Sequence, residues 1–315
     1  MFSSLISLVL LTPLSSALKI ASSLSTIEYT PELVAIQDYY KGTANIVNGG
    51  VPNLFSDSSV DLAGNAETQA LRNYASHKNL RIIYTVAEVY YRIVANSKSG
   101  ISSLKDLKGK KIGSIPGTSA TYFVQKYLGT AGLKESDYTV VSGNVCLAAP
   151  CGSGTFPYML AHGTVDAVGM WEPTVELAAQ ALGSGAVIFG NQTAYREIFN
   201  LHSTTEKLKD ASTRKNIVDF IRALNQAEKV FDTDPDSVQP RVAKALGMDT
   251  TLLKAIWSIH KFKGTLAPDL LDVLAEEDQW VAKADRRTAI SRSDLAGLID
   301  SSVLAEASGN STAAR

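Results

Sequence analysis

Cysteine is scarce, with two in 315 residues, which excludes a disulfide-dense scaffold and a four-cysteine zinc centre. Histidine is nearly as rare, at four. His77, His162, His202 and His260 are scattered, without an HExxH or any other paired metal-ligand spacing. Neither sign of charge dominates: 30 Lys+Arg against 31 Asp+Glu leaves a net charge of −1. Bulk electrostatics therefore does not hold a polyanion, and nucleic acid is not the expected partner. No stretch reaches the roughly 18 uninterrupted apolar residues of a membrane span. No G-x-S-x-G elbow, no Walker loop and no nucleophile paired with a base stands out. No catalytic residue, metal or resident cofactor is expected.

What is present is ordinary globular material, 45% hydrophobic and 19% charged, enough for about two domains at roughly 150 residues each. Residues 1–17 carry no charged side chain. Leu5–Leu11 is a short apolar run and Ser15-Ser16-Ala17 offers small residues, so 1–17 reads as a secretory signal cleaved after Ala17. The competing reading is a buried first element. Asn191-Gln192-Thr193 and Asn310-Ser311-Thr312 are N-glycosylation sequons, at Asn191 and Asn310, which agree with secretion in a eukaryotic host. In an oxidising compartment Cys146 and Cys151 most simply pair with each other. A redox or metal pair lacks the C-x-x-C spacing.

Strands and helices alternate over 18–190. Strands are read at Leu18–Ser22, Ala44–Val47, Val60–Ala63, Leu80–Val94, Lys111–Ile115, Tyr138–Val141, Val165–Met170 and Ala186–Phe189. Thr30-Pro31-Glu32 starts a helix with Pro at its first position and an acid in its first turn. Asn65 is read as the cap of a helix Glu67–Ser76. From Glu206 onward helices dominate, and Glu306–Arg315 is read as a frayed tail. Alternation of this kind implies an α/β fold with mainly parallel sheets. Ligands in such sheets bind beyond the carboxyl ends of strands. The five lysines between Lys98 and Lys111 read as a solvated face.

The stretch Ile101-Ser-Ser-Leu-Lys-Asp-Leu-Lys-Gly-Lys-Lys-Ile-Gly-Ser-Ile-Pro-Gly-Thr-Ser119 resembles the type II periplasmic-binding-protein family. Gly163-Thr164-Val165-Asp166-Ala167 followed by Trp171-Glu172-Pro173 is similar to that family's second signature. Asp234-Pro235-Asp236 through Gly247-Met248-Asp249, and Leu266–Trp280, look like its C-terminal helices. More narrowly, the chain resembles the branch that binds nitrate, aliphatic sulfonates, taurine and thiamine-pyrimidine precursors, which includes the fungal thiamine-pyrimidine synthases. The resemblance covers about 18–305.

It implies a two-lobed α/β fold joined by two crossovers, with a helical C-terminal region. Lobe one is placed at 18–90 plus 186–305 and lobe two at 91–185. A small anionic or zwitterionic organic ligand is expected in the cleft, held by hinge closure. Ser25, Thr26 and Tyr29 lie in the first loop, which the family uses for ligand contact. Gly64 and Asn65 are read as a ligand turn of lobe one; plain helix capping is the alternative. Gly117, Thr118 and Ser119 form the matching turn of lobe two, where a helix start offers free N–H groups and a positive dipole end. Trp171 is a stacking candidate or a core tryptophan. Glu172 is read as a carboxylate in the cleft that favours a ligand with an amine or amidine donor.

Two other functions stay open. One is a thiamine-pyrimidine-synthase-like enzyme, although the reactive histidine and cysteine-rich motif of those enzymes find no match here. The other is a secreted interaction protein whose cleft has lost its ligand, which the abbreviated Val47–Val60 segment permits. Sequons without a lipid-anchor cysteine fit a secreted fungal member; in a bacterium the partner would be an ABC permease and the location the periplasm.

Overall fold

The structure, a computed structural model, describes residues 17–309. The expected signal segment, all but Ala17, and the Asn310 sequon lie outside those residues. Among the described residues, no helix is long and apolar enough to cross a membrane.

Among the described residues, eleven strands make two sheets. They are β1 Leu18–Ser22, β2 Ala44–Asn48, β3 Leu62–Ala66, β4 Leu80–Tyr90, β5 Arg92–Asn96, β6 Lys111–Gly113, β7 Thr139–Val141, β8 Ala167–Met170, β9 Ala186–Gly190, β10 Arg196–Thr204 and β11 His260–Lys261. The first sheet has six strands in the order β11-β4-β10-β3-β1-β2, and the second has five in the order β7-β6-β8-β5-β9. β1 runs parallel to β2 and β3, and β6 parallel to β7 and β8. The short edge strand β11 is antiparallel to β4, and an inner strand of each sheet runs antiparallel to both its neighbours, β10 in the first and β5 in the second. Those two strands follow the crossings between lobes. The chain leaves lobe one between β4 and β5 at Tyr91, and returns through Asn191–Tyr195 between β9 and β10.

The α/β architecture and the helical C-terminal region are as expected, with three corrections. Ala186–Gly190 was assigned to lobe one, yet β9 pairs along its length with β5 of the second sheet, so the return crossing falls after Gly190. The strand β10 was not expected at all. Third, Gly64 and Asn65 are the end of β3 and not a turn. Asn65 caps nothing: its Oδ1 accepts the N–H of Ala66 at 2.8 Å, and Ala66 is the residue that precedes the helix Glu67–Ser76.

Elsewhere the local signals work as chemistry dictates. Pro31 opens the helix Thr30–Val34, with Glu32 in its first turn. Asp210 caps the long helix Ala211–Thr233 by accepting the Thr213 N–H at 2.8 Å. That helix buries Ile217, Phe220, Ile221 and Leu224 against lobe one. Glu306 and Ala307, read as the start of a frayed tail, instead close the helix Ser302–Ala307, and Glu306 pairs with Arg214 at 2.9 Å; 310–315 lie outside the described residues.

Candidate functional site

A cavity of about 80 Å³ lies where the two crossings meet. Lobe one supplies Ser23, Thr26 and Glu28 from the first loop, Asn65 and Ala66 from the end of β3, Thr68 and Gln69 from the helix after it, and Glu197 and Phe199 from β10. Lobe two supplies Thr118, Ser119 and Trp171, and Tyr91 comes from the first crossing. A single water needs roughly 10–15 Å³ by this measure. The space thus takes roughly five to eight small groups, the size of a compact organic solute.

Two helix starts point into the cavity from opposite lobes. One is Glu67–Ser76. The other is Ser119–Gly129, capped by Thr118, whose Oγ1 accepts the Ala120 N–H at 3.3 Å. Such ends carry free N–H groups and positive potential. Between them runs a chain of hydroxyl and carboxyl groups. Tyr91 Oη lies 3.0 Å from Ser119 Oγ and donates to Glu197 Oε2 at 2.6 Å. The Glu197 carboxyl lies within hydrogen-bonding reach of that of Glu28. Both acids are buried, at 5% and 1% exposure. Burial pushes the Glu28 carboxyl up to about 7. Burial, with the charges of Glu28 and Glu67 behind it, holds Glu197 well above the usual carboxylate range. The wall is aromatic: Tyr91 meets Phe123, Tyr195 and Trp171 with centroids 5.6, 5.3 and 6.1 Å away.

Of the ten residues picked from sequence, Thr26, Asn65, Thr118, Ser119 and Trp171 line the cavity. The other five do not. Ser25 is exposed. Tyr29 is buried in the core of lobe one at 5% exposure. Gly64 is buried in β3, where a Cβ would collide with Ser22 Oγ and Glu32 Oε1, so its role there is close approach. Gly117 has φ +76° and gives its carbonyl to the Arg72 guanidinium. Glu172 is the clearest correction. It is 1% exposed, it accepts from Arg92 Nε and Nη2 at 2.8 and 2.6 Å, and its second oxygen takes the Glu176 N–H at 2.9 Å. It faces the core of lobe two, so the carboxylate expected in the cleft is supplied instead by Glu28 and Glu197.

Sequence reading passed over those two acids and Tyr91. Glu28 lies in the first loop, between the candidates Thr26 and Tyr29. Glu197 and Tyr91 become visible only once β10 and the two crossings are recognised.

The family model described as "NMT1/THI5 like" matches residues 45–237, more than half of the chain. The chain belongs to the NMT1/THI5-like family. A Brucella abortus (strain 2308) protein described as a binding protein is 34% identical over 169 residues, which is 52% of this chain and 48% of that one. The chain spans about half the length of the curated relatives it matches. Among solved structures, this NMT1/THI5-like chain resembles the alkanesulfonate-binding protein SsuA from Xanthomonas axonopodis pv. citri bound to MOPS. The TM-score is 0.67 at 18% identity, over 90% of this chain and 98% of that one. It also resembles the desulfurization enzyme DszB, with a TM-score of 0.61 at 13% identity over 93% and 99% of the two chains. At such identities the likeness shows a shared fold, one that carries both binding proteins and an enzyme.

Cys146 and Cys151 are joined in a disulfide. Among the described residues, no group of three or more His, Cys, Asp or Glu could hold a metal ion.

Proposed function

We propose that this NMT1/THI5-like chain is a solute-binding protein that captures a small polar organic molecule between its lobes and holds it by lobe closure. The observation that carries this reading is the interlobe cavity, lined by polar side chains from both lobes and by two helix starts. Its size suits a taurine-like zwitterion, a small sulfonate or an aminopyrimidine. The buried Glu28 and Glu197 oppose a plain anion such as nitrate. They favour a ligand that brings N–H donors to the acids and an electron-rich end to Ser119 and the helix start. The pocket does not fit pyridoxal phosphate, which the synthase alternative needs. None of the lining residues is Lys, Arg or His, so nothing there would form an imine or neutralise a phosphate, and two carboxyls would repel one. A disulfide in lobe two and the exposed Asn191 sequon support an extracytoplasmic location as part of the same proposal.

A thermal-shift panel tests it, using taurine, alkylsulfonates, nitrate, aminopyrimidines and pyridoxal phosphate, with Trp171→Ala as control. A true ligand at about 100 times its Kd stabilises the protein by about 2.7 kcal/mol. The shift is expected with an amino-bearing probe, absent with nitrate, and lost in the control. A flat panel from folded protein would overturn the reading.

We assign the latch of that closure to Arg72. Arg72 of lobe one donates to the Gly117 carbonyl of lobe two, pairs with Asp285 at 3.2 Å and stacks 5.9 Å from the Trp280 ring. Lys126–Glu276 and Lys283–Glu135, at 2.8 and 3.0 Å, also span the lobes, but such exposed pairs contribute little. Arg72→Ala is expected to speed ligand dissociation about tenfold, the loss of one charge-assisted hydrogen bond. Stopped-flow release with a hit from the panel reads it, and an unchanged off-rate would remove Arg72 from the latch.

A further inference from the structure

The cavity holds two carboxyls and no counter-charge. Glu28 and Glu197 line the same cavity, both buried and within hydrogen-bonding reach of each other. Two buried carboxyls share a site at low cost only when one carries a proton. The Thr26 hydroxyl and the backbone N–H groups of Ile27 and Glu28 reach the Glu28 carboxyl, but among the described residues no donor meets its Oε2, which is sealed from solvent. Tyr91 already gives its hydrogen to Glu197.

The elements packed around the pair add no cation. Glu67 accepts from Tyr195 Oη at 2.7 Å and from the Ile198 N–H at 2.8 Å. Behind it, Glu277 of the helix Leu270–Ala284 is fully buried, touches Glu67, and has both oxygens without a donor. This second pair keeps the region short of positive charge. The basic groups of the neighbouring elements are committed elsewhere: Arg196 to Glu88 and Asp269, Arg72 to the Gly117 carbonyl and Asp285, and Lys126 to Glu276.

We propose that Glu28 and Glu197 are the specificity-determining receptor for a cationic nitrogen, ammonium or amidinium, and that its arrival expels the single proton the empty pair holds. The inference rests on the solute-binding reading and deepens it, because it assigns the ligand a positive charge. The balance is simple. The pair enters with one proton and one negative charge; the ligand brings its own N–H donors and its charge; both carboxyls end ionised around it, and the released proton goes to buffer. The sign follows. Acid makes the proton harder to expel, so affinity falls by about tenfold per pH unit below the range in which the pair gives it up. Burial raises both acids of the pair, so the fall begins near neutral pH and continues through the acid range.

Isothermal calorimetry on the mature protein near neutral pH tests this, run in phosphate and in Tris, whose ionisation heats differ. The probes are taurine, acetamidine, 4-aminopyrimidine and ethanesulfonate. Taurine or acetamidine is expected to bind with the buffer difference of one proton released, and ethanesulfonate not to bind. Glu28→Gln and, independently, Glu197→Gln should each lower affinity at least about tenfold and abolish the buffer difference. Cation binding with buffer-independent heat overturns the proton exchange and leaves the cleft reading standing. Ethanesulfonate binding as well as taurine, or the neutral form of 4-aminopyrimidine binding alone, overturns the cation receptor and also leaves that reading standing. If no probe binds at millimolar concentration while the panel above is also flat, the solute-binding reading fails and this inference falls with it.

Discussion

Arg92→Ala is expected to cost about 3–5 kcal/mol of folding stability, a fall in Tm of about 5–8 °C for a chain of this size. Arg92 reaches Glu172 through Nε and Nη2 and Glu176 through Nη2, at 2.8, 2.6 and 2.9 Å. Glu172 is 1% exposed. Burial raises its carboxyl, and the guanidinium is the main force pulling it back. Removing the arginine strands a carboxylate in the core of lobe two, between β5 and the helix Thr174–Leu182. The large effect is therefore the cost of an unpaired buried charge and not the worth of the ion pair. The double variant Arg92→Met with Glu172→Gln separates the two: it removes both charges, keeps an acceptor for the Glu176 N–H, and should recover most of the loss. Thermal and urea unfolding read both variants. A single variant within about 1 kcal/mol of the parent would show that Glu172 finds another partner.

Stability should fall as pH rises from about 6.5 to 8, and Glu32→Gln should remove part of that fall. Glu32 is fully buried and burial pushes its carboxyl from 4.5 to about 8, with only the Ser22 hydroxyl, at 3.2 Å, drawing it back. A raised acid has a definite sign. Below pH 4.5 both states hold the proton; between 4.5 and 8 the unfolded chain has lost it while the fold retains it. Each pH unit in that window costs about 1.4 kcal/mol. Glu28, lifted to about 7, adds to the same slope. His202 and His260 act oppositely. Burial depresses both to about 4, so they withdraw stability as pH falls from 6.5 towards 4. Maximum stability is therefore expected in mildly acid solution. Glutamine at position 32 is neutral in both states and can still accept from Ser22. The variant should be more stable than the parent by about 3–5 kcal/mol above pH 8 and nearly equal to it at pH 5. Identical slopes for the two proteins would mean that Glu32 ionises freely in the fold.

Much of the fold was legible because βαβ alternation announces itself: β1, β2 and β4, and the helix starts at Pro31 and Thr118, depend on local signals. β10 was not legible, and the reason is physical. Glu197 through Thr204 are all buried, so the strand shows no alternation of apolar and polar residues. Nor does it form an apolar run, because its polar groups are satisfied by distant partners. His202 Nδ1 meets the Ala63 carbonyl at 2.9 Å, Asn200 accepts from Thr85 at 2.9 Å, and Ser203 donates to the Asp61 carbonyl at 2.8 Å. The site divides in the same way. Thr118 and Ser119 follow a strand and begin a helix, a local fact. Glu172 and Glu28 look alike as lone acids beside apolar neighbours; that an arginine 80 residues earlier claims the first, while a second acid, Glu197, meets the other, is a tertiary fact.

The route of the chain also dictates an order of assembly. Lobe two is one continuous stretch between Tyr91 and Tyr195, so every strand of its sheet has left the ribosome before Arg196 does. Lobe one begins first and finishes last, because the strand that fills the gap between β3 and β4 is β10. During synthesis the older half waits with an unfilled seam while the younger half closes upon itself. That seam is where a nascent chain of this family is most exposed to mispairing and most in need of a chaperone.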